Sequence, residues 1–224
     1  MLTKPKKLEK GDTIAIIAPS AGLYFQHRLD NAIAFLNKAV TTTEPIGIVS
    51  PSQSWTGEFL DWSEKLDLTR PRKLERNDGF EWLREGKAKG KIIGGCLESI
   101  VHLPGTKYWP DYKDKVLFLE ISEGQKFDEG DPLAYVDWYL EQLSILGVFE
   151  QIKGLIFGRP YNYSKEDTEL LKKKIIERTK ECTFPILFGA DIGHTDPQIT
   201  IPIGVEVGID SETKTFEFLE SGIE

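Results

Sequence analysis

Short apolar runs recur along the chain, separated by stretches in which apolar residues return at helical spacing. Thr13 to Ala18, Val116 to Glu120 and Gly154 to Gly158 are nearly continuous in apolar residues, the pattern of strands buried on both faces of a parallel sheet. Between them the period changes. Leu29, Ile33 and Leu36 fall at i, i+4 and i+7 and predict a helix after the first strand. Residues 132–146 predict another, with Tyr135, Trp138, Tyr139 and Leu143 inward and Asp131 as N-cap. Ser164, followed three residues later by Asp167, opens a Lys/Glu-rich helix that runs to Lys180. Glu81 to Leu83 and Lys91 to Ile93 read as strands around a Gly86 to Gly90 turn, and Gly94-Gly95 opens a short helix over 97–103. Three short strands are predicted at Ile199 to Ile203, Val205 to Ile209 and Thr215 to Phe218. Strands alternating with helices predict an α/β fold.

One part of the pattern breaks. A βα unit over 13–40 needs a second strand, since alone it covers neither its sheet edge nor its helix face. Instead 41–77 is polar and interrupted by Ser50-Pro51-Ser52 and Arg70-Pro71-Arg72, with Ile46 to Val49 as its one strand candidate. So long a connection is unusual inside a compact domain.

Composition narrows the function classes. The 224 residues, 40% hydrophobic and 29% charged, suffice for one large domain or two small ones, and no run is apolar enough to span a bilayer. A net charge of -8 opposes a phosphate-tracking surface, so neither nucleic acid nor a membrane is an expected partner. No apolar stretch follows the basic Met1 to Lys7, which makes the cytoplasm the expected compartment. Cys96 and Cys182 read as free thiols, Cys182 as a small core residue, and neither has a second ligand at metal spacing. Pro19-Ser20-Ala21-Gly22 holds a single glycine where dinucleotide binding needs three, so no cofactor is expected.

Three histidines and one carboxylate can be weighed for chemistry. His27, at the start of the first helix, reads as solvated or capping, and His102, in Ile100 to Leu103, as a packing residue. His194 lies in a loop, Gly189 to Pro197, rich in glycine and short polar residues, and is placed for proton transfer. Glu120 closes an apolar strand at the end where open α/β sheets carry their sites, although a surface carboxylate is an equal reading of that position. A glutamate bonded to a histidine would fix its tautomer, as in a Ser-His-acid triad.

Six segments together carry a resemblance: Lys10-Gly11-Asp12-Thr13 through Ala18-Pro19-Ser20, Ile93 to Glu98, Leu103 to Thr106, Leu117 to Glu120, Gly154 to Arg159, and Gly193 to Pro197 with Ile201 to Gly204. In this order they resemble the serine LD-carboxypeptidases, which include the muramoyl-tetrapeptide carboxypeptidases and, more similar to this chain, the microcin C self-immunity peptidases. The resemblance implies an N-terminal parallel, Rossmann-like α/β domain carrying a nucleophilic serine and a C-terminal α/β domain supplying Glu and His. On that plan, 1–40 is a remnant of the first domain, 41–79 a connecting segment and 80–224 the C-terminal domain.

Glu120 matches the triad glutamate and His194 the triad histidine. Gly94 and Gly95 match a substrate-lining loop, with Cys96 where the family commonly has Asn. The family's Gly-Tyr-Ser-Asp nucleophile segment is absent from the sequence, which implies the loss of on the order of a hundred residues, several βα units, between Val40 and Thr41. Ser20, after the first strand, and Cys96, whose thiol a helix N-terminus would acidify, are the remaining candidate nucleophiles. The implied function is hydrolysis of an amide next to a terminal carboxylate, in a murein tetrapeptide or a peptidyl-nucleotide toxin, impaired by the missing segment. The alternative is an inactive binding protein or deletion remnant. A small peptide or peptidyl-nucleotide is the implied partner, and a homodimer is compatible with the family.

Overall fold

Two of the apolar runs become the middle of one mixed sheet. The computed structural model describes residues 47–60, 64–126 and 128–223; the expected strand at 13–18, the helix after it, Ser20 and His27 lie outside the described residues. In chain order the elements are β1 (Gly47–Ile48), β2 (Ser54–Trp55), a 3-10 turn (Leu66–Leu68), β3 (Glu75–Arg76), β4 (Glu81–Arg84), β5 (Lys87–Cys96) and α1 (Leu97–Ile100). Then follow β6 (Val116–Glu120), α2 (Leu133–Ile145), β7 (Gly154–Gly158), α3 (Lys165–Arg178), β8 (Ile186–Ala190), β9 (Glu206–Asp210) and β10 (Thr215–Phe218). Eight of the strands form a sheet in the order β1-β10-β9-β5-β6-β7-β8-β4, while β2 and β3 pair separately.

β5 to β8 run parallel, and antiparallel strands flank them on both sides. Every residue of β6 and β7 is buried, as a strand covered on both faces requires. Leu117, Leu119, Leu155 and Phe157 pack with Val136, Leu140 and Leu143 of α2 and with Leu171 and Ile175 of α3. Val116, Phe118 and Ile156 point the other way, into a second core with Val207, Ile209, Phe216 and Phe218 of the β9–β10 hairpin. Glu120 shares the parity of Val116 and Phe118, so its side chain leaves the strand on this second face.

Several expectations need correction. The Gly86 to Gly90 turn is mostly strand: Lys87 to Lys91 pair antiparallel with β9, and Ile92 to Cys96 continue parallel to β6. β4 does not lie beside β5 but pairs with β8 at the far edge, where Arg84 Nη2 donates to Thr179 O (2.8 Å) and Thr179 Oγ1 (3.0 Å) beyond α3. Gly94-Gly95 is the end of β5, paired with Phe118 and Leu119, rather than a turn. Gly94 is required there by close approach, because with φ at 151° a Cβ would drive into the Phe118 carbonyl.

The inward face of α2 is Val136, Leu140 and Leu143, at i, i+4 and i+7. Trp138 is 64% exposed and packs in a tilted pair against exposed Tyr135, with ring centroids 5.4 Å apart. Large aromatics suggest burial by size, but the aliphatic positions hold the spacing that meets the sheet. The N-cap is Pro132 rather than Asp131, which is buried one position earlier. No strand forms over 199–203; Ile199 and Ile201 pack on the second core without a ladder. His102 is exposed, on the turn after α1. Cys182 is half-buried and free.

Ser164 does cap α3, accepting from Asp167 N–H at 3.0 Å. The described part of the 41–77 stretch is structured by long-range contacts, β1 on β10 and β2 on β3, inside one compact unit, Ile46–Glu220. Among the described residues no helix is long and apolar enough to cross a membrane.

Candidate functional site

The carboxyl ends of β5, β6, β7 and β8 lie side by side, which is where a parallel sheet presents its loops. Register fixes the neighbours: Cys96 pairs with Glu120, and Gly158 with Ala190. Glu120 is buried at its strand end. His194 reaches it from the loop after β8, with Nδ1 2.8 Å from Glu120 Oε2. A carboxylate is only an acceptor, so Nδ1 carries the proton and Nε2 is the atom left for proton transfer. Gly193 permits the approach, since a Cβ there would lie 2.7 Å from Glu120 Oε2, and its φ of 101° suits only glycine.

A second carboxylate meets the same ring. Glu123 Oε2, in the loop after β6, is 3.3 Å from His194 Nε2, and Tyr161 sits edge-on to the imidazole. The hydrogen bond to Glu120 holds the His194 pKa above the ordinary histidine value; burial opposes this, and the charges of Glu120 and Glu123 add to it. Cys96 is shifted upward as well, by burial and then by the Glu120 charge, so the expected acidification by the following helix is overridden. That helix is a single turn of four residues.

Two residues that the sequence reading did not single out build the wall beside His194. Arg159, the residue after β7, and Asp191, the residue after β8, form a buried ion pair, Nη2 to Oδ1 at 2.6 Å, with Arg159 8% exposed and Asp191 2%. Arg159 Nη1 also donates to Thr195 Oγ1 at 3.3 Å, and its guanidinium carbon lies 4.9 Å from the ring centre of Trp55. Asp191 accepts from Ser52 N–H at 2.7 Å and Ser52 Oγ at 3.1 Å. A cavity of about 1010 Å³ opens next to this cluster, lined by Trp55, Asn77, Arg159, Asn162, Tyr163 and Phe188 among others. The available signal was a charge placed directly after each of two adjacent apolar runs, positive after one and negative after the other.

A sequence model of the LD-carboxypeptidase C-terminal domain matches residues 89–209, a span that contains both Glu120 and His194. The chain belongs to the LD-carboxypeptidase family. It is similar to the microcin C7 self-immunity protein MccF of Escherichia coli, 29% identical over 181 residues, covering 75% of this chain and 47% of that one. Among solved structures, an MccF-like protein from Bacillus anthracis is 31% identical with a TM-score of 0.67, covering 85% of this chain and 55% of the other. One from Streptococcus pneumoniae is 26% identical with a TM-score of 0.64, covering 85% and 57%. The chain spans about half the length of the curated relatives it matches. The α/β fold expected for an LD-carboxypeptidase C-terminal domain is the one observed.

Proposed function

We propose that this chain is the Glu–His domain of a serine-type LD-carboxypeptidase, acting on an amide next to a terminal carboxylate in a murein tetrapeptide or a peptidyl-nucleotide, with turnover impaired for want of the serine-bearing segment. The observation that carries the reading is the 2.8 Å contact between Glu120 Oε2 and His194 Nδ1 at the carboxyl edge of the parallel strands. In this chemistry a hydroxyl attacks the carbonyl carbon while His194 Nε2 takes its proton and returns it to the leaving amine. Glu120 fixes the tautomer and stabilises the imidazolium that forms.

The peptidyl-nucleotide class is supported by relatives. The Escherichia coli protein is a microcin C7 self-immunity protein, and the Streptococcus pneumoniae one was solved in complex with AMP. A strip over Gly94, Gly95 and Cys96 is the substrate-lining surface in this reading. A Cβ at Gly95 would meet no atom of the described residues within 4 Å, so the end of β5 leaves open space there. Cys96 is disfavoured as the nucleophile because burial and Glu120 oppose its thiolate.

One observation favours a second reading, a binding protein without turnover: Glu123 Oε2 occupies the vicinity of Nε2 where an attacking hydroxyl would sit. The purified chain and its His194→Ala variant would be incubated with an L,D-tetrapeptide and with a peptidyl-adenylate, and released amino acid measured. Slow release that disappears in the variant is the expected result. Binding of AMP by calorimetry with no release from either substrate favours the second reading, and absence of both binding and release overturns the two together.

A further inference from the structure

We infer that Arg159 is a positioning residue for His194, acting by gripping the His194 loop on both sides of the histidine. The inference rests on His194 being the proton carrier of the proposed reaction. Three residues before His194, Asp191 takes the guanidinium at 2.6 Å; one residue after it, Thr195, fully buried, takes the other terminal nitrogen at 3.3 Å. Arg159 Nη2 also reaches Gly189 O at 3.4 Å, and its backbone N–H donates to Ala190 O at 3.0 Å. The residue that follows β7 therefore spans the whole turn from the end of β8 to the residue beyond His194.

The outer end of the turn is fixed independently, by paired backbone bonds of 2.8 and 2.9 Å between Thr56 and Asp196. Arg159 is not free to receive a substrate carboxylate, because Asp191 already neutralises it inside the fold. What it supplies is the planar fork: a lysine keeps the charge but cannot span two acceptors on opposite sides of a loop.

The test reads the protonation of His194, which does not depend on any substrate. Imidazole NMR titration of the full chain would compare Arg159→Lys, Thr195→Val and Glu120→Gln with the parent. Glu120→Gln sets the scale by removing the chief cause of the raised pKa. Both clamp variants keep the charge around His194, so a change in its midpoint reports geometry rather than lost charge. The expected result is a midpoint moved down toward that of Glu120→Gln in Arg159→Lys, and partway in Thr195→Val. Midpoints coinciding with the parent in the clamp variants, while Glu120→Gln moves, would leave Arg159 purely structural and overturn the inference. Should Arg159→Lys fail to fold, Thr195→Val, which retains the buried ion pair, decides alone. If the parent turns over substrate, kcat in Arg159→Lys falls on the order of a hundredfold with KM kept; a chain without turnover leaves the titration result intact.

Discussion

Two buried aspartates sit in opposite surroundings. Asp191 is wrapped by Arg159, Ser52 and the Asn77 amide, every one a donor. Asp131, 7% exposed, has no hydrogen-bond or cationic partner for its carboxylate among the described residues, and its pKa is pushed up to about 6 by burial and then by Glu98. Burying a carboxylate is tolerable only when its charge is matched, and the two sites show both outcomes. The matched one organises the loop that carries the histidine. The unmatched one weakens the fold whenever it is ionised.

The sharpest way to break this contrast is Asp191→Ala. It leaves the Arg159 guanidinium buried without its counter-charge, and the expected loss is about 3–5 kcal/mol by chemical denaturation. A loss near zero would show that the pair contributes nothing and that both aspartates are alike.

Asp131→Asn should have the opposite sign. The folded-state pKa lies above the ordinary value of 3.8, so the folded protein holds its proton longer than the unfolded one. Stability from this group is therefore complete below about pH 4 and is lost as pH rises toward about 6. Asp131→Asn is expected to gain about 1–2 kcal/mol at pH 8 and nothing at pH 4. An equal change at both pH values would mean that the effect is one of shape, not charge.

Glu123→Gln gives the smallest effect. It should lower the NMR midpoint of His194, but by less than Glu120→Gln, since Glu120 makes the hydrogen bond that is the first cause of the shift. The histidine's own contribution to stability is present below its ordinary value near 6.5 and is lost as pH rises through the raised folded value, so Glu123→Gln narrows that window from above. A midpoint unchanged in this variant would show that Nε2 is free of Glu123 in solution, which would remove the observation behind the binding-only reading.

Much of the fold was legible because local pattern reports local burial. β6 and β7 fall on the residues that their apolar runs predict, and the Ser164 cap and α3 follow from a side-chain oxygen placed before a helical period. The pattern misled where it reports only that a side chain is large or small. Tyr135 and Trp138 look like core residues by size yet lie on solvent, and the glycines of 86 to 95 look like turns yet belong mostly to a strand. Glu120 and His194 could be proposed from strand-end and loop positions, but their contact spans 74 residues of sequence and no periodicity encodes it.

The sequence by itself determined that Val116 to Glu120 and Gly154 to Gly158 are strands buried on two faces, which residue ends each one, and that a glutamate stands at such an end and a histidine in a loop; it did not single out β8, whose last residues it read as part of that loop. Only the tertiary structure decided that β4 crosses to the far edge, that Glu123 takes the second imidazole nitrogen, and that Ser52 closes on Asp191 across 139 residues. The physical reason is the range of the forces involved. Side-chain alternation records whether a position faces water, a property of one element, whereas ion pairs and hydrogen bonds between loops depend on which elements become neighbours, and that is fixed by packing the whole sheet.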